Sequence, residues 1–269
     1  MEEKQICITS VKSTALEVLG IPQNTANAPA NETATALAND KFQGERADRV
    51  VIYNPDAVAW WISEKYKDMF APAVEKSEVV IKMRSVMPSF TPVCFGSMYS
   101  GVMPEEHGIM KYEKPVLKVE TLFDVIIREG KKAAIVSTMG DSISKIFLQR
   151  NMDYFIYPSV RLVNRKALSL IKDDRYDLIV IYNGNYDASM HAVGPEGRLA
   201  IKSLGKNIKF YRKMVETVEK YMKNRNVFYG FCPDHGCHAI DSGRGSHGLD
   251  MEEDMNIVHL YGAKPKNIG

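Results

Sequence analysis

Residues 178–191 read LIVIYNGNYDASMH. The five residues Leu178–Tyr182 run apolar without alternation, which predicts a short strand buried on both faces. A strand of that kind belongs in a sheet covered by helices, and the chain repeats the pattern. Continuous β-branched and aromatic runs recur at Val50–Tyr53, Val79–Ile81, Ala134–Val136, Tyr154–Tyr157, Val227–Phe231 and Ile257–Leu260. Between them lie helical stripes. Val119, Leu122, Phe123, Ile126 and Ile127 stop at Gly130, a natural helix end. From Glu196 to Met222, Ile201, Leu204, Ile208, Tyr211, Val215, Val218 and Met222 share one face, and Gly205 costs ~1 kcal/mol that packing must offset. The alternation predicts an α/β fold, a doubly wound and mostly parallel sheet with helices on both faces.

Residues 11–45 are rich in Ala, Asn and Thr and predict an irregular or partly helical lead-in. The expected organisation is therefore 1–45 packed on a single domain, 46–269, that carries the chemistry. With 269 residues and 45% hydrophobic content the chain buries a full core. Thirty-five basic against 33 acidic residues leave a net charge of +2, which excludes a strongly basic nucleic-acid binder. No segment approaches ~18 consecutive apolar residues, and Met1–Ser10 lacks the layout of a secretory signal. Cys7, Cys94, Cys232 and Cys237 form no regular framework, and reduced thiols in a cytoplasmic protein are expected.

In such sheets ligands bind beyond the carboxyl ends of the strands, and the unusual polar residues fall there. Asp56 follows Val50–Tyr53, Asp187 and His191 follow Leu178–Tyr182, and Asp234 and His235 follow Val227–Phe231. His247 comes soon after, between Ser246 and Gly248. Taken singly each has an ordinary explanation, since an aspartate after a strand commonly caps a helix or makes a turn. Jointly, three Asp and three His are the oxygen and nitrogen set of a zinc or manganese pair. Of the other histidines, His107 is expected to shape its Pro-x-x-His-Gly turn and His259 to be a satisfied core residue. His238 lies near the cluster without a partner at a diagnostic spacing.

Ser89-Phe90-Thr91-Pro92 leads into Val93–Ser100 and then Gly101. Thr91 as N-cap, proline in the first helical position and glycine at the far end would put the hydroxyl at a helix N-terminus, where an oxyanion or phosphate is favoured. Thr91 either caps or attacks. To attack it needs activation; no Gly-x-Ser-x-Gly elbow is present, and metal coordination would provide it.

Thr91-Pro92 followed by Ser100-Gly101, Pro104 and His107-Gly108-Ile109 resembles the nucleophile segment of type I phosphodiesterases/nucleotide pyrophosphatases, of the alkaline phosphatase superfamily. Asp187-x3-His191 before Gly194-Pro195, Asp234-His235-Gly236, and Ser246-His247-Gly248 resemble its later blocks, and the match spans about residues 49–262. The resemblance implies an alkaline phosphatase-like fold and two divalent metals, usually zinc. Asp56, Asp234 and His235 would hold one metal, with Thr91 reaching it; Asp187, His191 and His247 would hold the other. Such ions sit ~4 Å apart and clamp the attacking and leaving oxygens. Thr91 would take the phosphoryl group and water would release it.

Two departures matter. Ala57 stands where the family has glycine after the first aspartate. Lys111-Tyr112 stands where phosphodiesterase relatives carry a phosphoryl-binding asparagine, so either residue is a candidate substrate contact. The stretch from Ile109 to Asp187 is too short for a large cap. The leading expectation is a hydrolase of phosphodiesters or nucleotide pyrophosphates, acting on a small phosphate ester or nucleotide, with no nucleic-acid polymer and no membrane. Phosphomonoester or phosphonate hydrolysis would use the same apparatus, as would a phosphomutase. A metal-binding interaction protein without activity is the alternative from another class.

Overall fold

In a computed structural model, residues 5–23, 27–241 and 243–267 are described. The strands are β1 (Ile6–Cys7), β2 (Arg49–Pro55), β3 (Val79–Arg84), β4 (Ala133–Thr138), β5 (Asp153–Tyr157), β6 (Leu178–Asn183), β7 (Val227–Phe231), β8 (His238–Ile240), β9 (Arg244–Ser246) and β10 (Asn256–Lys264). The helices are α1 (Ser10–Val18), α2 (Glu32–Lys41), α3 (Trp60–Lys65), α4 (Lys67–Val74), α5 (Thr91–Ser100), α6 (Pro104–His107), α7 (Leu122–Arg128), α8 (Ile143–Ile146), α9 (Val160–Asp173), α10 (Asn185–Val193), α11 (Arg198–Tyr221) and α12 (Glu252–Met255).

Eight strands form one sheet in the order β1-β3-β10-β7-β2-β6-β4-β5, and β8 and β9 make a separate antiparallel ribbon. All seven apolar runs are strands of the main sheet. Pairing is parallel except at β10, which runs antiparallel to both β3 and β7. Because β10 opposes both neighbours, β3 points the same way as β7, and its carboxyl end reaches the same rim.

The period of two along each strand divides the interior into two cores. Val50 and Ile52 of β2 face the layer that holds α1, α2, α5 and α7; Val51 and Tyr53 face the layer of α3, α4, α9 and α11. This is why the strands read as unbroken apolar runs: both faces are covered. The stretch between Ile109 and Asp187 is consumed by α7, β4, α8, β5, α9 and β6, which leaves no cap domain. Residues 11–45 are more regular than their composition suggests. Ala34 and Ala38 of α2 are buried, and Asn31 accepts from Ala34 N at 3.1 Å as that helix's cap. Gly101 closes α5 with φ +77°, in the left-handed region where glycine is favoured. No helix among the described residues is long and apolar enough to cross a membrane, and all four cysteines are free.

Candidate active site

Strand order assembles the site. β2 lies between β7 and β6, so the segments that follow these three strands emerge side by side. They deliver Asp56, Asp234-His235 and Asp187-His191 to one rim. His247 arrives from the β8–β9 ribbon, which approaches α10 so closely that a Cβ on Gly245 would lie 2.3 Å from Met190 Sδ. Six residues scattered over almost 200 positions become two clusters, Asp56/Asp234/His235 and Asp187/His191/His247. The rings of His235 and His247 stack with centroids 4.0 Å apart, so the clusters adjoin.

The histidines are oriented by backbone carbonyls. His191 Nδ1 bonds Gly245 O at 3.0 Å, His235 Nδ1 bonds Gly236 O at 2.9 Å, and His247 Nδ1 bonds Ser89 O at 2.8 Å. A carbonyl only accepts, so Nδ1 carries the proton in each ring, and a neutral imidazole then presents a lone pair at Nε2. Those Nε2 atoms face one another and the carboxylates. His191 Nε2 lies 3.1 Å from His247 Nε2 and 3.2 Å from Asp187 Oδ1; His247 Nε2 lies 3.5 Å from the same oxygen. In the other cluster His235 Nε2 is 3.3 Å from Asp56 Oδ1 and 3.5 Å from Asp234 Oδ2.

Buried Asp56 Oδ1, Asp187 Oδ1 and Asp234 Oδ2 have no hydrogen-bond partner. These are the three carboxylate oxygens aimed at the clusters, and burying them unpaired is costly. A cation at the centre of each cluster resolves both problems. Tetrahedral zinc with bonds of ~2.0–2.1 Å spaces its ligand atoms ~3.3 Å apart, and the observed separations of 3.1–3.5 Å bracket that figure. The residues fit a pair of divalent ions.

Electrostatics agree. Burial, and then the charge of Asp187, pushes the Asp56 carboxyl up to about 7. Burial and Asp56 hold Asp234 well above the usual carboxylate range. Asp187 goes the other way: burial raises it, but the imidazoles of His191 and His247 outweigh burial and hold it below that range. Among the described residues no lysine or arginine pairs with these three carboxylates; the side chains that face them at 3.2–3.5 Å are the histidine rings.

Thr91 sits at the mouth of the first cluster, buried, with Oγ1 3.2 Å from His235 Nε2 and 3.5 Å from Asp56 Oδ2. It differs from the capping geometry in one respect. Phe90 is the N-cap of α5, the helix begins at Thr91 itself, and no side chain caps it. The hydroxyl is turned toward the carboxylate and imidazole instead of back onto the helix amides.

Lys111 and Tyr112 are not drawn into either cluster. Lys111 is exposed and pairs with Glu113 at 2.5 Å. Tyr112 is 59% exposed, with its ring edge-on to Phe90 at 6.4 Å, and Phe90 in turn packs 5.8 Å from the ring of His247. Tyr112 is thus linked to the site through Phe90, and Lys111 is turned to Glu113.

His107 does brace its turn: Nδ1 accepts from Ile109 N at 3.2 Å and Nε2 faces Ser97 Oγ at 3.0 Å. His259 is satisfied in the core by Pro233 O and Tyr261. His238 has a partner after all, Asp254, at 2.7 Å. The sequence reading missed Tyr182, whose hydroxyl donates to Asp56 Oδ2 and so leaves Oδ1 free to face His235. The available signal was a tyrosine ending an apolar strand next to a polar rim. It also missed Ser89, which holds His247 through its carbonyl and Gly248 N through its hydroxyl at 3.0 Å.

Comparison with solved structures finds the same architecture in ectonucleotide pyrophosphatase/phosphodiesterase 5. The murine protein superposes with a TM-score of 0.55 at 18% identity, covering 71% of this chain and 57% of that one. An inactive form of the murine protein in complex with AMP gives 0.56 at 16% identity, with the same coverage. The human protein gives 0.61 at 13% identity, covering 80% of this chain and 87% of that one. The chain therefore spans little more than half the length of the murine structures, and the likeness is one of fold. No family model matches the sequence, and no curated protein matches it.

Proposed function

We propose that this chain is a metal-dependent hydrolase of phosphoric esters, of the phosphodiester or nucleotide pyrophosphate type, with Thr91 as nucleophile. The observation that carries the reading is the direction of the Thr91 hydroxyl. It forgoes a capping bond and lies against two of the residues, Asp56 and His235, whose free ligand atoms converge. Asp56, Asp234 and His235 would hold one divalent ion, and Asp187, His191 and His247 the second; zinc suits the mixed imidazole and carboxylate set and manganese is the alternative. Bound there, the ions supply Lewis acidity that polarises the phosphoryl group and lowers the pKa of the attacking hydroxyl.

The chain's own residues do the rest. The first turn of α5 points its amides and the positive end of its dipole toward the phosphoryl oxygens. Thr91 Oγ1 bonds to phosphorus as the ester oxygen leaves, and the hydroxyl proton passes to that departing oxygen through solvent. Water then takes the phosphoryl group from Thr91 and restores the hydroxyl. Phe90 and Tyr112 border the rim beside His247. A protein of the same fold binds AMP, which makes a nucleoside monophosphate the product class to examine.

The test is one panel on zinc- or manganese-loaded protein: an aryl phosphodiester, a dinucleoside pyrophosphate, an aryl phosphomonoester and an aryl phosphonate ester. Turnover of the diester or pyrophosphate above the monoester is expected, with loss on chelation and recovery on adding metal. Metal binding without turnover of any member would leave the chain a binding protein and refute the enzyme.

A further inference from the structure

We infer that Asp254 is a positioning residue for the Asp187/His191/His247 set, clamping the segment that carries His247 from both sides. The inference rests on the reading of those three residues as metal ligands. Asp254 lies in the single turn of α12, fully buried and a member of neither cluster. Its carboxyl group has two arms. Oδ1 takes His238 Nδ1 at 2.7 Å, and Oδ2 accepts from Leu249 N at 2.9 Å.

The arms meet at one place in the chain. His238 pairs across the β8–β9 ribbon with Ser246, the residue before His247. Leu249 is the second residue after it. One buried carboxyl group therefore fixes the approach to His247 and the exit from it. Ser89 completes the hold, with its carbonyl on His247 Nδ1 and its hydroxyl on Gly248 N. Without Asp254, the segment on both sides of His247 loses one of its tethers and is left with the Ser89 contacts and the ribbon pairing, so Nε2 is held less firmly against the other two ligands. Outer partners of this kind typically matter by about 10–100-fold in metal affinity.

The first cluster supplies an internal control. Gly236, next to His235, donates its N–H to the backbone carbonyl of Asp254 at 2.7 Å, a contact that side-chain substitution leaves in place. Asp254 side-chain variants should weaken one ion and spare the other.

The experiment is zinc titration of chelator-stripped full chain, by calorimetry with a competing chelator, on wild type, Asp254→Ala and Asp254→Asn. Circular dichroism of each metal-free protein verifies the fold. Wild type should take two equivalents. Asp254→Ala should hold one as before and bind the second about 10–100-fold more weakly. Asp254→Asn should recover most of that loss, because an amide still accepts from Leu249 N and donates to the other His238 tautomer. Should the alanine variant not fold, His238→Ala removes one arm and keeps the other, with the same selective loss at smaller amplitude. Unchanged affinities, or two affinities that fall together, overturn the clamp while leaving the metal reading intact. A wild type that binds no zinc overturns both.

Discussion

Thr91→Ala separates a nucleophile from a structural threonine because the two roles predict effects of very different size. As a helix cap, the hydroxyl would contribute ~1 kcal/mol of stability. The structure gives it no capping bond, so the expected loss is that of a small buried group, ~1 kcal/mol or less. In a chain of this size that lowers Tm by about 2–4 °C. As a nucleophile, its loss leaves only binding and charge stabilisation, and turnover should fall by about four decades or more, equivalent to ~5.5 kcal/mol of barrier. Metal content should hold, since Asp56, Asp234 and His235 remain. Thr91→Ser keeps an oxygen at the start of α5 and should retain a measurable fraction of the rate. The assay is steady-state turnover of the best substrate, beside thermal melts and metal analysis of the same preparations. An alanine variant that is folded, metal-replete and within a few-fold of wild type would refute the assignment.

Tyr182→Phe removes only the hydroxyl that donates to Asp56 and leaves the ring packed against Phe95. It should weaken one of the two zinc ions about tenfold or more at little cost in stability, and equal affinities would count against Tyr182 as the orienting group. If Tyr112 supplies the phosphoryl donor from the rim, Tyr112→Phe lowers kcat/KM by about two to three decades while Lys111→Met stays near wild type; unchanged efficiency in both removes the pair from the site. His259 is held at about 4 by burial, against an ordinary 6.5. Between those values the unfolded chain takes up a proton that the folded chain refuses. Stability should therefore fall by about 3 kcal/mol as pH drops through that window, and urea melts of His259→Gln should show the limb flattened. An unchanged slope would place the acid sensitivity elsewhere.

Local chemistry wrote much of this protein into its sequence. Leu178–Tyr182 and Val227–Phe231 read as doubly covered strands because burial on both faces tolerates no polar alternation, and both are found in the interior of the sheet. Asp56, Asp187 and Asp234 could be picked out only jointly, because three carboxylates and three histidines following apolar strands make a metal-ligand set that none of them makes alone. What the sequence could not carry is direction and adjacency. The reversal of β10, which brings β3 and α5 to the same rim as β2, β6 and β7, follows from pairing between distant segments. The Thr91 hydroxyl turns from its helix because Asp56 and His235, 35 and 144 positions away, lie beside it. Tyr182 and Asp254 act through hydrogen bonds to partners fixed by packing, and neither has a spacing to betray it. The sequence by itself determined which side chains carry carboxylates, imidazoles and a hydroxyl at the ends of apolar strands. Only the tertiary structure decided which lone pairs face one another, because orientation at ~3 Å is set by strand order and by carbonyls that no local pattern specifies.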